Sequence, residues 1–253
     1  MGLQIGLGSR IRKSPFFDAL VRHGLTHVTV YNHMYMPGSF GDPDEEYRAL
    51  VERVSLWDVA CERQVEVVGP DAFALCRYVS ARDLRGMAVG RVRYAPMCDH
   101  DGVLLNDPMV LRLAEDRFWI SIADSDVLLW CQAVGAERGL DCRVFEPDVS
   151  PLAVQGPRAD DTMADLLGEW VRDVPFFGFV ETSHDGIPFV LCRSGWSGQG
   201  GFELFLQDGS RGLDLWDAVW AAGEGYGLHP GGPTLAERIG SDLFAYAADC
   251  GAS

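Results

Sequence analysis

The residues best suited to chemistry in this sequence lie in a glycine-rich loop between two predicted strands, in the segment from Leu191 to Leu206. The loop carries an indole at Trp196 and leads to a carboxylate at Glu203. Glycines let a backbone adopt positive φ and approach a ligand closely. The same composition is typical of an ordinary hairpin with a flexible tip, which the pattern alone favours. The glycine order does not match G-x-G-x-x-G and no helix follows, so the loop is not a dinucleotide fingerprint.

A second polar group, Asn106-Asp107-Pro108, separates the apolar runs Val103–Leu105 and Met109–Leu111. A carboxylate between strand residues is costly to bury unless it accepts hydrogen bonds. Such a carboxylate could bind a ligand N–H and hold a proton there. Asn-Asp-Pro also commonly forms an Asx turn at a strand break, and from the pattern alone this turn is the favoured interpretation.

Composition excludes several classes of function. The 253 residues are 47% hydrophobic, enough to bury a sizeable core, and their formal net charge is −16. This acidity disfavours nucleic acid and anionic membrane surfaces as partners. No apolar run approaches the roughly 20 residues that span a bilayer. The N-terminal segment does not have the charge order of a secretory signal, so we expect a cytoplasmic protein.

The cysteines and histidines do not form a recognisable site. Seven cysteines are scattered singly without a C-x-x-C pair, and six histidines are equally dispersed. An odd, scattered set indicates reduced thiols rather than disulfides, and no zinc-ligand spacing is present. We therefore predict no metal site.

Secondary-structure patterns place these polar groups in a mixed fold of helices and strands. The segments Gly69-Pro70 and Gly156-Pro157 each follow a Val-containing strand and precede a helix, which indicates two copies of one theme and an α+β fold. Residues 32–42 are predicted to be a loop, and residues 235–249 a helix. A chance Gly-Pro turn remains an alternative to the repeat.

Several segments, in the same order and with the same spacing, resemble the glycine-cleavage T-protein family: QVEVVGP, RYAP, DHDGVLLNDP, EPDVSPLAVQGP and RSGWSGQGGFE. Within the family, the segments VTVYNHM, WDVACERQV and ISIADSD resemble the tetrahydrofolate-dependent dimethylsulfoniopropionate demethylases. The resemblance runs from about Arg10 to Asp249, which is nearly the whole chain.

The resemblance implies two intertwined ferredoxin-like α+β domains with folate in a channel between them. The first domain is expected to be discontinuous, comprising residues 1–54 and 148–253, and the second to comprise residues 55–147. The family has a further C-terminal β-barrel domain, which is absent from this sequence, since it ends at Ser253. We therefore expect either a fragment or a truncated paralogue.

Motif positions in the resemblance imply a set of tetrahydrofolate-binding residues: Tyr94, Asp107, Phe177, Trp196 and Glu203. Glu203 is expected to accept hydrogen bonds from the amino-pyrimidine edge of the pterin, while aromatic rings cover its faces. Asp107 is the predicted catalytic residue, with an electrostatic and positioning role rather than that of a nucleophile.

The implied activity is transfer of a methyl group from a sulfonium donor to N5 of tetrahydrofolate. Tyr31, Trp196 and Phe205 are expected to contact this small-molecule donor, because aromatic rings suit a sulfonium cation. The enzyme mainly has to align the two substrates and exclude water. A homodimer is compatible with the sequence.

Three positions depart from the demethylase pattern. Gly198 stands where that branch usually has Lys, Phe205 where it has Tyr, and Gly240 where it has an acidic residue. These differences and the missing third domain leave a second interpretation open, in which the chain binds folate without turnover.

Overall fold

The computed structural model describes residue 8 and residues 10–249 of the chain. Its helices are α1 (Phe17–Arg22), α2 (Pro43–Glu52), α3 (Ala72–Val79), α4 (Val127–Glu137), α5 (Ala159–Leu167), α6 (Gly212–Gly223), α7 (Leu235–Gly240) and α8 (Tyr246–Asp249). Short 3₁₀ turns cover Glu169–Asp173, Gly209–Arg211 and Glu224–Tyr226. No helix in the described residues is both long enough and apolar enough to cross a bilayer.

The strands in chain order are β1 (His27–Tyr31), β2 (Met34–Ser39), β3 (Val54–Asp58), β4 (Gln64–Val68), β5 (Arg91–Tyr94), β6 (Met97–Cys98), β7 (Leu104–Asn106), β8 (Met109–Ala114), β9 (Arg117–Ser121), β10 (Arg143–Phe145), β11 (Ser150–Gln155), β12 (Phe179–His184), β13 (Ile187–Cys192), β14 (Gly201–Leu206) and β15 (Leu228–Gly231). Two main sheets contain most of them, and β1–β2 and β6–β7 form separate two-stranded ribbons.

The five-stranded sheet has the order β10-β4-β9-β8-β5 and is antiparallel throughout. One face of this sheet packs against α3 and α4, because alternate residues of β4 and β9 are apolar and point to that side. The apolar cluster between the sheet and these two helices includes Val65, Val67, Leu75, Phe118, Ile120 and Cys131.

The six-stranded sheet has the order β12-β13-β14-β11-β3-β15. All its pairs are antiparallel except β15 with β3. Its helix-covered face contributes Leu152, Val154, Phe202 and Leu204 to the largest apolar cluster, which also includes Trp216 of α6. The strand β3 is inserted between β11 and β15 and leads directly to the chain segment that starts the other sheet.

The two sheets face each other through a shared apolar cluster. The five-stranded sheet contributes Val92, Leu111, Leu113 and Trp119, and the six-stranded sheet Phe179, Val190, Cys192 and Phe205. The rings of Trp119 and Phe205 have centroids 6.2 Å apart. Because side chains alternate along a strand, Glu203 lies on the same face of β14 as Phe205 and points toward the other sheet.

The predicted repeat is confirmed in the backbone. Gly69 follows β4 and precedes α3, and Gly156 follows β11 and precedes α5, with φ of 135° and 118°. A Cβ at Gly69 would lie 2.8 Å from the Asp141 carbonyl oxygen, and one at Gly156 would lie 2.7 Å from that of Leu50. Both turns therefore need glycine for the same reason. The α+β prediction is confirmed as well.

Two local predictions are wrong. The segment 32–42 is not a loop throughout, because Met34–Ser39 forms β2 and pairs with β1. The segment 235–249 is not one helix, because a turn in which Asp242 has a φ of 51° separates α7 from α8.

The division into two domains stays a prediction. The strand Val54–Asp58 pairs with β11 in the six-stranded sheet. This pairing favours assigning residues 55–58 to the first domain rather than to the second.

Candidate functional site

Tyr31 is the last residue of β1 and lies next to the tip of the β1–β2 hairpin. Asn32 and His33 have φ of 49° and 61°, the left-handed conformation that asparagine tolerates in tight turns. The buried amide of Asn32 donates to the carbonyl oxygens of Cys61 at 3.1 Å and Ala123 at 2.8 Å. These bonds fix the residue that follows Tyr31, and therefore the end of β1.

Asn106 holds Asp107 in a comparable way. The Asn106 side chain is fully buried and donates to the Ala123 carbonyl at 2.9 Å and to Ser125 Oγ at 2.8 Å. Its Oδ1 accepts the Ala123 N–H at 2.9 Å. The side chain thus binds a neighbouring segment of the chain, which makes the Asn-Asp-Pro group a fixed strand break between β7 and β8.

Asp107 is half-buried and lies beside Tyr94. The Tyr94 hydroxyl donates to Asp107 Oδ2 at 3.2 Å. Burial raises the pKa of Asp107 to about 6, although the hydrogen bond from Tyr94 opposes this shift. The carboxyl group can therefore gain or lose a proton close to neutral pH.

Glu203 lies on β14, with 3% of its surface exposed. The Ser194 hydroxyl donates to Glu203 Oε2. Burial raises the pKa of the Glu203 carboxyl, and the Ser194 hydrogen bond partly offsets that effect. This carboxylate is therefore held rigidly in a site poor in water.

Glu62 is a functional candidate that sequence reasoning missed. It follows β3 in a short turn, with its N–H donating to the Val59 carbonyl at 2.9 Å. Burial, and then the negative charges of Glu203 and Asp107, raise the pKa of Glu62 well above its ordinary value. Glu62 therefore lies close to both predicted carboxylates. Glu62 lies within the segment WDVACERQV that resembles the demethylases, but nothing in that segment distinguishes it as a site residue.

Tyr31 lies beside the same group of acids. Burial is the main cause of a raised pKa for the Tyr31 hydroxyl. The negative charges of Glu62, Cys61, Asp107 and Asp124 raise it further. Tyr31 therefore remains a neutral hydrogen-bonding ring at neutral pH. The structure thus brings together Tyr31, Glu62, Tyr94, Asp107 and Glu203, and we call these five residues the carboxylate cluster.

The glycine loop is shaped by Gln155, a second residue that sequence reasoning missed. Gln155 Nε2 donates to the Ser194 carbonyl at 3.1 Å, and its Oε1 accepts from Ser197 Oγ at 2.7 Å. A Cβ on Gly195, which has φ of 147°, would lie 2.1 Å from the Gln155 amide. The loop therefore needs glycine at this position to close around Gln155, and the idea of a loose hairpin tip loses support.

Trp196 lies against a different part of the chain. Its indole N–H donates to the Phe244 carbonyl at 3.0 Å, in the segment between α7 and α8. The ring is partly exposed. Its predicted contacts with folate and donor stay predictions.

Phe177 and Phe205 belong to the apolar cluster between the sheets rather than to the carboxylate cluster. Phe177 is partly buried, with φ of 56°. Its backbone N–H donates to the Arg193 carbonyl, and its carbonyl accepts the Val92 N–H. Phe205 has no exposed surface and packs near Trp119. This packing argues against the predicted donor contact of Phe205, because its neighbours already occupy the space around the ring.

The carboxylate cluster has a distinct electrostatic character. Across residue 8 and residues 10–249, no Lys, Arg or His forms an ion pair with Glu62, Asp107 or Glu203. Ionised carboxylates are acceptors only, so the site suits a ligand that brings N–H donors or positive charge. Within the same described residues, no group of three His, Cys, Asp or Glu could hold a metal ion.

A surface cavity lies away from the carboxylate cluster. It measures about 530 Å³ and is lined by residues that include Glu66, Arg117, Asp141 and Arg143, at the β10 edge of the five-stranded sheet. Glu66 already accepts from Arg117 Nε at 2.8 Å and Trp119 Nε1 at 2.9 Å. Glu66 and Arg117 thus neutralise each other, and none of the predicted site residues lines this cavity.

Comparison with known proteins gives a consistent family assignment. The family model described as the GCVT N-terminal domain matches residues 16–252. The dimethylsulfoniopropionate demethylase DmdA of Ruegeria pomeroyi is 45% identical over 240 residues, covering 95% of this chain and 66% of the relative. An aminomethyltransferase of Symbiobacterium thermophilum is 30% identical over 235 residues, covering 89% of this chain and 62% of the relative.

A solved structure supports the fold. The glycine cleavage system aminomethyltransferase T from Bartonella henselae is similar with a TM-score of 0.78 at 23% identity. The match covers 90% of this chain and 61% of that protein. The chain thus spans less than two thirds of the length of these relatives. Since the family model covers almost all of the chain, the protein belongs to the glycine-cleavage T-protein family, through its GCVT N-terminal domain.

Proposed function

We propose that this chain forms the folate- and donor-binding part of a tetrahydrofolate-dependent methyltransferase, with a dimethylsulfoniopropionate-like sulfonium as methyl donor. One observation carries the proposal. Within the part of the chain that the structure describes, three acidic side chains and a neutral tyrosine interact electrostatically and form no ion pair with a cation, in a chain 45% identical to a dimethylsulfoniopropionate demethylase. Such a site attracts a cation and an N–H-rich heterocycle together.

Glu203 is the residue that we assign to the pterin. The amino-pyrimidine edge of a pterin presents paired N–H donors, and a carboxylate can accept both. The Ser194 hydroxyl holds the Glu203 carboxylate in place, so little side-chain entropy is lost when a ligand binds. Tyr94, Phe177 and Trp196 are the aromatic rings that we assign to the folate faces.

Glu62 and Tyr31 suit the cationic donor. Burial and the neighbouring acids favour the protonated form of Glu62 in the free protein, and a cation bound beside it would favour the ionised form. The face of a tyrosine ring attracts an onium group. Both residues border Asp107, so donor and acceptor would meet next to that side chain. Alignment of two substrates in this way supplies much of the rate enhancement for a transfer reaction.

Asp107 acts by charge and by proton transfer. Tetrahydrofolate supplies the N5 lone pair that bonds the methyl carbon, while the broken C–S bonding pair stays on sulfur to give a neutral thioether. Asp107 is largely ionised above its pKa of about 6. Its carboxylate can therefore stabilise the positive charge that develops at N5 and accept the N5 proton.

Several features of the proposal concern the whole protein. The predicted partner is a small-molecule methyl donor. The homodimer, the cytoplasmic location and the two-domain division remain predictions, as do the individual residue roles.

The test is a transfer assay with an isotopically labelled donor. Purified protein is incubated with tetrahydrofolate and dimethylsulfoniopropionate carrying trideuterated S-methyl groups, and the folates are analysed by mass spectrometry. We expect 5-methyltetrahydrofolate that carries the label, and no product from the matching neutral thioether. Folate binding without labelled product would contradict the proposed transfer and would favour the non-catalytic interpretation.

A further inference from the structure

The glycine loop contacts residues 238–249, which comprise the last turn of α7, the segment that follows it and α8. We call these residues the strap. The Phe244 carbonyl of the strap accepts the Trp196 indole N–H at 3.0 Å. Ser241 Oγ donates to the Ser197 carbonyl at 3.1 Å. Two hydrogen bonds from adjacent loop residues therefore join the loop to the strap.

The strap has its own internal framework. Arg238 Nη1 contacts both carboxylate oxygens of Asp249, at 2.8 and 2.7 Å. Asp249 Oδ2 also accepts the Ala245 N–H at 2.9 Å, and the Leu243 N–H donates to the Arg238 carbonyl at 3.0 Å. These bonds close the strap into a compact turn, so we expect its residues to move together as one unit.

Gly198 is the residue at which loop and strap meet most closely. It has φ of 69°, and a Cβ built on it would lie 2.6 Å from Ser241 Oγ and 2.7 Å from Ser241 Cβ. Contacts this short are not tolerated, so a side chain at position 198 would push the strap away. Gly200 has a similar φ of 78°, but a Cβ built on Gly200 would have no neighbouring atom within 4 Å.

We propose that the strap fixes the orientation of Trp196, and that Gly198 is the positioning residue that admits the strap. Because the Phe244 carbonyl takes the indole N–H, the ring is left to offer its faces to a ligand. Faces of this kind suit a flat heterocycle or an onium cation. The ligand part of the proposal depends on the proposed function, since it assigns Trp196 to the folate and donor site.

The test compares Gly198→Ala with Gly200→Ala in the full chain. Both changes place Ala at positive φ, and only the first meets Ser241. Hydrogen–deuterium exchange of residues 238–249 reports the strap. The Nε1–H cross-peak of Trp196 in a ¹⁵N-resolved NMR spectrum, assigned by its loss in Trp196→Phe, reports the indole hydrogen bond. Calorimetry reports the dissociation constant of tetrahydrofolate.

We expect Gly198→Ala to accelerate strap exchange and to shift the Trp196 cross-peak, while Gly200→Ala changes neither. The dissociation constant of tetrahydrofolate should rise about tenfold in Gly198→Ala, the equivalent of one lost positioning hydrogen bond. Adding Ser241→Gly to Gly198→Ala removes the clashing atoms together with the hydrogen bond from Ser241 to Ser197. Exchange and cross-peak of the double variant should therefore match those of Ser241→Gly alone.

Equal strap exchange in the two alanine variants would overturn the role of Gly198. Faster exchange with an unshifted Trp196 cross-peak would overturn the positioning of Trp196 by the strap. Neither measurement requires turnover or bound folate. A wild-type protein that does not bind or methylate folate would therefore count against the proposed function and not against the strap.

Discussion

Asn32 and Asn106, the two asparagines of the sequence, donate their side-chain amides to the same carbonyl oxygen, that of Ala123, at 2.8 and 2.9 Å. Asn32 comes from the β1–β2 hairpin and Asn106 from the end of β7. Asn32 directly follows Tyr31 and Asn106 directly precedes Asp107, so each asparagine is adjacent to a predicted site residue. One peptide group thus sets the positions of two site residues from distant parts of the chain.

Asn106→Ala should destabilise the folded protein, although Asn106 is not a predicted ligand-binding residue. The change removes two donated bonds and leaves the Ala123 N–H without its side-chain acceptor. We expect the free energy of unfolding to fall by about 2–3 kcal/mol, because unpaired buried polar groups carry a desolvation cost. Urea unfolding measures this, and Gln132→Ala, which removes one exposed bond, is the control. A loss equal to that of the control would contradict the structural role of Asn106.

The pH dependence of the proposed transfer should report Asp107. Since the ionised form is the active one and its pKa is about 6, kcat/KM should rise with pH through about 6 and then level off. Tyr94→Phe removes a hydrogen bond that favours the charged form, so the inflection should move to higher pH. A profile that is unchanged in Tyr94→Phe and in Asp107→Asn would show that another group controls the rate.

Glu62→Gln should make the protein more stable at alkaline pH. Burial and the neighbouring carboxylates raise the pKa of Glu62, so the folded state holds a proton that the unfolded state has released. Stability associated with Glu62 is therefore present at low pH and is lost as pH rises. We expect a higher Tm for Glu62→Gln at about pH 8 and convergence near about pH 4, where the acid is largely protonated in both states.

The control for Glu62→Gln is Glu52→Gln, at an exposed position on α2. Its Tm should follow the wild type across the same range. If Glu62→Gln and Glu52→Gln gave parallel curves, Glu62 would not lie among other buried acids.

Gly195→Ala should disturb the glycine loop through Gln155. The added Cβ would lie 2.1 Å from the Gln155 amide, at a φ of 147° that side chains rarely adopt. We expect a loss of about 2 kcal/mol or more in the free energy of unfolding. Gly186→Ala has positive φ with open space around it and should cost only about 1 kcal/mol. Equal losses in the two variants would mean that the loop does not close on Gln155.

Much of the fold could be predicted from local patterns. The turns at Gly69 and Gly156 were readable because both need positive φ between a Val-containing strand and a helix. The strand Met34–Ser39 was missed because Pro37 and Gly38 within it are signals of a loop. Its pairing with β1 supplies the stabilisation that these residues lack locally.

The candidate site could be predicted only in part. Asp107, Tyr94, Glu203 and Glu62 all lie in segments that resemble the family, but nothing in the composition around Glu62 marks it as a site residue. Its importance depends on contacts with residues far away in the chain, which no local pattern encodes. Phe205 lies in a recognisable motif and on the same face of β14 as Glu203. The sequence does not reveal that the neighbouring sheet covers the Phe205 ring.

Isothermal calorimetry tests most directly whether the carboxylate cluster binds tetrahydrofolate through Glu203. The comparison is wild type, Glu203→Ala and Glu181→Ala, an exposed glutamate on β12 of the same sheet. We predict that Glu203→Ala weakens binding by about 2 kcal/mol or more, roughly thirty-fold, while Glu181→Ala leaves it unchanged. Equal affinity in wild type and Glu203→Ala would contradict the account.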